Sequence, residues 1–196
     1  MSYTYEYPRA ALTVDVVVVA APVDGRARVL LIRRKGPPFR GAWALPGGFV
    51  DIDEDVEAAA RRELREETGL AVAKVRLLGV YGAVGRDPRG RTVSVVYLAL
   101  HPGAPPAAVA GDDASGADWF ALARPPSKVA FDHREILRDA RRRLAALAER
   151  PEDLVRELLP PRLGFDAMLA AFRAALGSKI DRASLRRKLL RRGLLS

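Results

Sequence analysis

Three glutamates carry the densest chemistry in this sequence. Glu63, Glu66 and Glu67 stand at i, i+3 and i+4 within Gly48–Leu70, GFVDIDEDVEAAARRELREETGL. On a helix that spacing brings all three carboxylates onto one face. Like charges that close destabilise an isolated helix, so the cluster calls for a counter-ion. Hard oxygen donors select Mg2+ or Mn2+, ions that keep positions open for water and phosphate oxygens. Gly47-Gly48, just ahead, lets a backbone carbonyl approach such an ion. Arg62 and Glu54 form a natural pair for holding the intervening loop against the helix. A lone E-x-x-E-E is more often a solvated, salt-bridged helix face than a metal site, so the wider spacing has to decide.

The elements that must position this cluster are readable in outline. Asp55–Thr68 has no Gly or Pro and ends at Gly69, which predicts a helix with a glycine C-cap. Leu12–Ala20, Val29–Arg33 and Thr92–Leu100 are rich in Val, Leu and Tyr and predict strands, with Asp24-Gly25 turning between the first two. Arg86–Arg91 is a polar loop, and Ala104–Gly116 reads as an irregular connection. A second helix should start at Asp132, with Glu135 completing a capping box and Ile136, Leu137, Ala140, Leu144 and Leu147 on one stripe. Arg150-Pro151 ends it. Beyond Pro160-Pro161, Asp166–Leu176 and Asp181–Arg192 are short helical patterns, each opened by an Asp and closed by a Gly. Together they read as a helix-turn-helix.

Composition bounds the rest. A chain of 196 residues buries one core and leaves room for a small second module. Cysteine is absent, which excludes disulfides and thiolate metal sites. The longest apolar run, Ala10–Val23, is broken by Asp15, is too short to span a bilayer and lacks a signal peptide's basic start. The expectation is a cytoplasmic chain with no membrane partner. The net charge of +9 is uneven: Met1–Asp132 carries 17 basic against 16 acidic residues, His133–Ser196 16 against 8, and Lys179–Ser196 7 against 1. Such a tail points to a polyanion partner or to a solvated arginine-rich surface.

The spacing then becomes specific. Gly48, five residues, Glu54, seven residues, Arg62-Glu63-Leu64, one residue, Glu66-Glu67, one residue and Gly69-Leu70 resembles the Nudix box at every position, and Trp43–Gly48 is similar to its usual entry. The resemblance implies an α/β fold, an α/β/α sandwich around a mixed sheet, that hydrolyses a nucleoside diphosphate linked to another group. It also implies metal ligation by Glu63, Glu66, Glu67 and the Gly47 carbonyl, and catalytic roles for Glu63, Glu67, Arg62 and Glu54. The metal would neutralise diphosphate charge and help generate the attacking hydroxide.

Outside the box the chain is similar to the Nudix branch that handles ADP-ribose. Tyr7-Pro-Arg9 to Asp15, Gly85–Arg89 with Val93–Tyr97, Gly111–Asp113 with Trp119-Phe120, and Phe131–Ile136 carry this likeness. It implies that Arg89 meets a phosphate, that Asp112 or Asp113 acts as base or outer metal ligand, and that His133 contacts the ligand. The plainer alternatives are a loop charge, turn formers and a helix-start hydrogen bond. The tail, Gly177–Arg182 followed by Leu185–Lys188, resembles the winged-helix module of Nudix-derived bacterial repressors that sense ADP-ribose and control NAD metabolism. That implies a Nudix domain over 1–149, a helix-turn-helix module over 150–196, homodimerisation, and DNA contacts through Arg182, Arg186, Arg187 and Lys188. A β-hairpin wing is expected after Gly193, yet the sequence ends at Ser196. Two classes stay open: an enzyme converting ADP-ribose to AMP and ribose 5-phosphate, and a DNA-binding sensor with the Nudix fold as its ligand pocket.

Overall fold

The computed structural model describes residues 6–22, 24–109, 111, 114–177 and 180–195. Seven strands form one mixed sheet: β1 (Ala11–Ala21), β2 (Arg28–Arg34), β3 (Trp43–Ala44), β4 (Gly47–Phe49), β5 (Arg76–Tyr81), β6 (Thr92–Pro102) and β7 (Ala114–Ala121). The main path runs β3-β2-β1-β6-β5, with β4 paired to β1 and β7 to β2. β1 and β6 are parallel over their whole length, from Ala11 opposite Thr92 to Ala21 opposite Pro102, and the other pairs are antiparallel.

β1 reads as a valine-rich run, interrupted only by Thr13 and Asp15, because both of its faces are covered. Val14, Val16 and Val18 pack with Leu30 against Ala59, Ala60 and Leu64 of α1 (Val56–Thr68). The alternate residues Val17, Val19 and Ala21 join Val96, Leu98 and Leu100 of β6 beneath α2 (His133–Glu149). Period two thus splits one strand between two cores. The second core is continuous with Leu154 and Leu158 of α3 (Pro151–Leu158), with Leu169 and Phe172 of α4 (Phe165–Leu176), and with Leu185 and Leu189 of α5 (Arg182–Arg191). A buried Leu or Phe stabilises by roughly 1.5–3 kcal/mol. Core burial therefore holds the C-terminal helices on the sheet. No helix among the described residues is long and apolar enough to cross a membrane.

The α/β/α sandwich with a trailing helix pair is the fold the sequence led us to expect, and Gly69 closes α1 in the left-handed region at φ 69°. Several local expectations give way. β3, β4, β5 and β7 fall in segments that were not read as strands. Pro151 does stop α2, but it also opens α3, because the first helical position needs no N–H. Asp132 makes no side-chain cap on α2, since Arg86 takes both of its carboxylate oxygens at 2.8 and 2.7 Å. Asp166 does not cap α4 either. It lies inside the helix and pairs with Arg182, and Gly164 stands at the N-cap. Asp181 does cap α5, accepting from the Ser184 N–H at 2.6 Å.

Candidate active site

β4 and α1 build one wall of the site. β4 lies against β1 with Gly47 opposite Asp15 and Gly48 opposite Val14, and two close approaches explain both glycines. A Cβ on Gly47 would lie 2.1 Å from the Val14 carbonyl oxygen, and one on Gly48 2.4 Å from Glu63 Oε1. The second wall of contact is electrostatic. Arg62 clasps Glu54 through Nε (3.0 Å) and Nη2 (2.5 Å), shares Nη1 between Glu63 (2.9 Å) and Glu66 (3.0 Å), and donates to the Phe49 carbonyl at 3.2 Å. Glu54 in turn accepts from the Asp51 N–H. One guanidinium therefore ties the loop before α1 to the helix.

Burial pushes the Glu63 carboxyl above the usual carboxylate range, against the opposing pull of Arg62. Glu67 accepts from the Gly47 N–H at 2.8 Å, which fixes the Gly47 peptide beside the cluster. Among the described residues no three acidic or imidazole groups are arranged to hold a metal ion as they stand. Two of the glutamates are turned to Arg62 and one to the backbone. In kind and place the set nevertheless suits a hard divalent cation: three carboxylates close together on one helix, one of them disfavoured as an anion by burial.

Arginines share the site with these carboxylates. A cleft of about 410 Å3 is lined by Gly47, Gly48, Glu63 and Glu67 and also by Arg34, Arg86 and Arg89, with Asp15 and Asp87 beside the last two. Burial first, then the neighbouring charge of Arg89, pulls the Arg34 pKa below its ordinary value. Two crowded guanidinium groups of this kind favour an anionic ligand between them. Arg89 is held in place by Asp87 (2.7 Å) and lies 5.3 Å from the Phe49 ring and 5.9 Å from that of Phe131.

His133 lines the floor, fully engaged. Its Nδ1 accepts from the Leu45 N–H at 2.9 Å, and its Nε2 lies 3.4 Å from Asp15 Oδ1. The neutral ring therefore carries its proton on Nε2, towards Asp15. Asp15 also accepts from the Ser94 hydroxyl and lies 3.9 Å from Arg86.

The structure thus gathers Gly47, Glu54, Arg62, Glu63, Glu66 and Glu67, and places Arg89 and His133 at the same cleft. Asp112 and Asp113 lie outside the described residues. Arg182, Arg186, Arg187 and Lys188 stand apart on α5, where Arg182 is paired to Asp166 at 2.6 Å and sits over Phe165. Sequence reasoning did not single out Arg34, Arg86, Asp15 or Phe131 as site residues. Arg86 lay within a stretch already noted, one turn from Arg89, but nothing in its surroundings distinguished it.

Residues 12–140 match the family model described as the NUDIX domain. The chain belongs to the Nudix family. Members generally use divalent metal ions. An ADP-ribose pyrophosphatase of Methanocaldococcus jannaschii is 46% identical over 123 residues, 63% of this chain and 71% of its own. The ADPR responsive transcriptional repressor NtrR of Acinetobacter baylyi is 31% identical over 97% of this chain and 76% of its own. Among solved structures, a MutT/nudix family protein of Enterococcus faecalis aligns with a TM-score of 0.81 at 30% identity, covering 97% of this chain and 84% of that one. Shewanella oneidensis NrtR complexed with a 27mer DNA aligns at 0.69 and 29% identity, covering 92% and 82%. The likeness to the repressors extends through the C-terminal helices as well as the Nudix domain.

Proposed function

We propose that this Nudix chain is a divalent-metal-dependent pyrophosphohydrolase of nucleoside diphosphate derivatives, with ADP-ribose, cut to AMP and ribose 5-phosphate, as its substrate. One observation carries the reading: one cleft is lined both by carboxylates of the glutamate cluster and by Arg34, Arg86 and Arg89. A diphosphate needs both, cations to bind it and a site where further positive charge gathers for the reaction. The relative named ADP-ribose pyrophosphatase supports the choice of substrate.

Mg2+ or Mn2+, held by Glu63, Glu66, Glu67 and the Gly47 carbonyl, would supply charge neutralisation and lower the pKa of an attacking water. The chain's own residues do the positioning. Arg34 and Arg89 hold the diphosphate oxygens, and Phe49 and Phe131 offer apolar surface beside them. Glu67 fixes the Gly47 peptide, while Arg62 and Glu54 act through the loop as positioning residues. Asp15 and His133 lock the floor by joining β1 to the turn before Gly47. A screen of Mg2+- and Mn2+-dependent hydrolysis over ADP-ribose, NADH, diadenosine polyphosphates and nucleoside triphosphates tests the proposal. A folded protein inert on all of them overturns it.

A second reading rests on α5, and with it we propose a Nudix domain over 1–149 and a helical module over 150–196. Leu185 and Leu189 are buried while Arg186 and Arg187 are exposed, the arrangement of a helix that reads DNA. We infer a DNA-binding homodimer that senses ADP-ribose, in line with the NtrR likeness. With Arg182 engaged by Asp166, about three cations remain per protomer and about six per dimer, so the dimer's affinity should fall roughly two-thousandfold between 50 and 200 mM salt. Fluorescence titration of genomic fragments tests this. Affinity no better than for random duplex, or unchanged in Arg186→Glu/Arg187→Glu, rules it out.

A further inference from the structure

A second, larger depression of about 1020 Å3 shares no lining residue with the cleft. Four elements converge on it: the β1–β2 turn with Arg26, the segment after β7 with Arg124, α2 with Arg138, Arg141 and Arg142, and the end of α4 with Arg173. Leu122, Leu144 and Leu176 form apolar parts of its lining. None of the described residues lining it is acidic. Nearby, Asp139 pairs with Arg142, and Asp24 accepts from the backbone N–H of Arg26.

Two features separate this groove from an ordinary arginine-rich surface. Arg138, Arg141 and Arg142 stand at i, i+3 and i+4, so like charges share a helix face at the expense of the helix. More telling is Arg173. Its Nε is buried without a hydrogen-bond partner, while one Nη donates only a long 3.4 Å bond to the Ile180 carbonyl. A buried donor in a native fold normally has an acceptor, and the Arg173 side chain, which lines the groove, would gain one by turning towards an oxygen anion there.

We propose that this groove is a second binding site, for a polyphosphorylated small molecule. Guanidinium forks from opposite sides suit the oxygens of a phosphate chain, and the leucines leave room for an apolar or ring moiety beside it. The volume is that of a small-ligand site, roughly 300–1,000 Å3.

Calorimetric titration of the full chain with sodium tripolyphosphate and, separately, with ATP tests this, in EDTA and 100 mM salt. Wild-type protein binds at least one of them. Arg138→Glu/Arg141→Glu, at two exposed positions, weakens binding by about tenfold or more, and Arg138→Gln/Arg141→Gln weakens it less. The cleft variant Arg89→Ala leaves it within about twofold. Tighter binding of ATP shows that the leucines take the base, and equal binding shows that the phosphates suffice. Absence of binding overturns the proposal, as does loss on Arg89→Ala with no change in the α2 variants. So does a groove-dependent affinity for a 20-base-pair duplex when neither small anion binds.

Discussion

Replacing Arg62 by alanine is the most informative single perturbation of the cleft. It removes five hydrogen bonds at once, to Glu54 (two), Glu63, Glu66 and the Phe49 carbonyl. Glu63 decides the magnitude: its side chain is 14% exposed, and burial already disfavours its charge. A hydrogen bond to a charged group contributes about 1.5–3 kcal/mol, and an open mouth screens part of that, so about 1–2 kcal/mol is expected here. At about 2–4 °C per kcal/mol for a chain of this size, Tm should fall by about 2–8 °C. Thermal unfolding in EDTA, followed by circular dichroism, measures this without a bound metal. Hydrolysis should fall too, because the loop before α1 is no longer tied down. Glu66→Gln is the paired control. It relieves repulsion among the carboxylates and should leave the metal-free protein as stable as wild type or more so. An Arg62→Ala protein melting within 1 °C of wild type, or a Glu66→Gln protein that is strongly destabilised, would refute the assignment of Arg62 as brace.

The other predictions concern neighbouring groups. Glu67→Gln retains an oxygen that accepts from the Gly47 N–H, so the fold should persist, while the lost charge lowers kcat by about a hundredfold or more in steady-state assays. Gly47→Ala and Gly48→Ala should part company. The first drives a methyl into the Val14 backbone and lowers Tm or abolishes folding, whereas the second meets only the movable end of Glu63 and removes activity from a folded protein. Equal effects of the two on Tm would contradict this. His133 is buried, with burial the chief cause pulling its pKa below the ordinary 6.5 and Asp15 opposing. Its neutral form is the folded form, so the stability it contributes is present above about pH 6.5 and is lost as pH falls towards the depressed value. Wild type should then lose up to about 1.4 kcal/mol per pH unit below 6.5 relative to His133→Gln, whose amide oxygen still accepts from Leu45. Parallel pH profiles in denaturant melts would exclude His133 as the source.

How much of this was legible in the sequence follows from how local each feature is. Glu54, Arg62, Glu63, Glu66 and Glu67 lie within fourteen residues of one another on a loop and a helix. Spacing alone therefore puts Glu63, Glu66 and Glu67 on one face, and α1 ends where Gly69 predicts. β5 and β7 were hidden because their patterns are broken. β5 slips register between Leu77 and Gly79 and leaves Leu77 and Val80 exposed, and β7 pairs across an irregularity between Ile32 and Arg34 while opening on Ala-Ser-Gly. The arginines lining the cleft were hidden for another reason. Arg34 ends β2, Arg86 sits in a loop and His133 opens α2, and they become neighbours only when β1 pairs with β6 and α2 lands on the sheet. The same event overrides the cap at Asp132. The Asp132 carboxylate has one set of lone pairs and two claimants, its own helix N-terminus and the buried Arg86. A buried guanidinium left without an anion costs more than an N-terminal N–H left to water, so the distant partner wins. Asp132 therefore loses its cap to buried charge at the cleft, whereas Asp166, exposed and away from the cleft, fails as a cap because α4 begins one residue earlier, at Phe165. Asp181, exposed at the start of α5 and far from that competition, caps as its sequence context predicts.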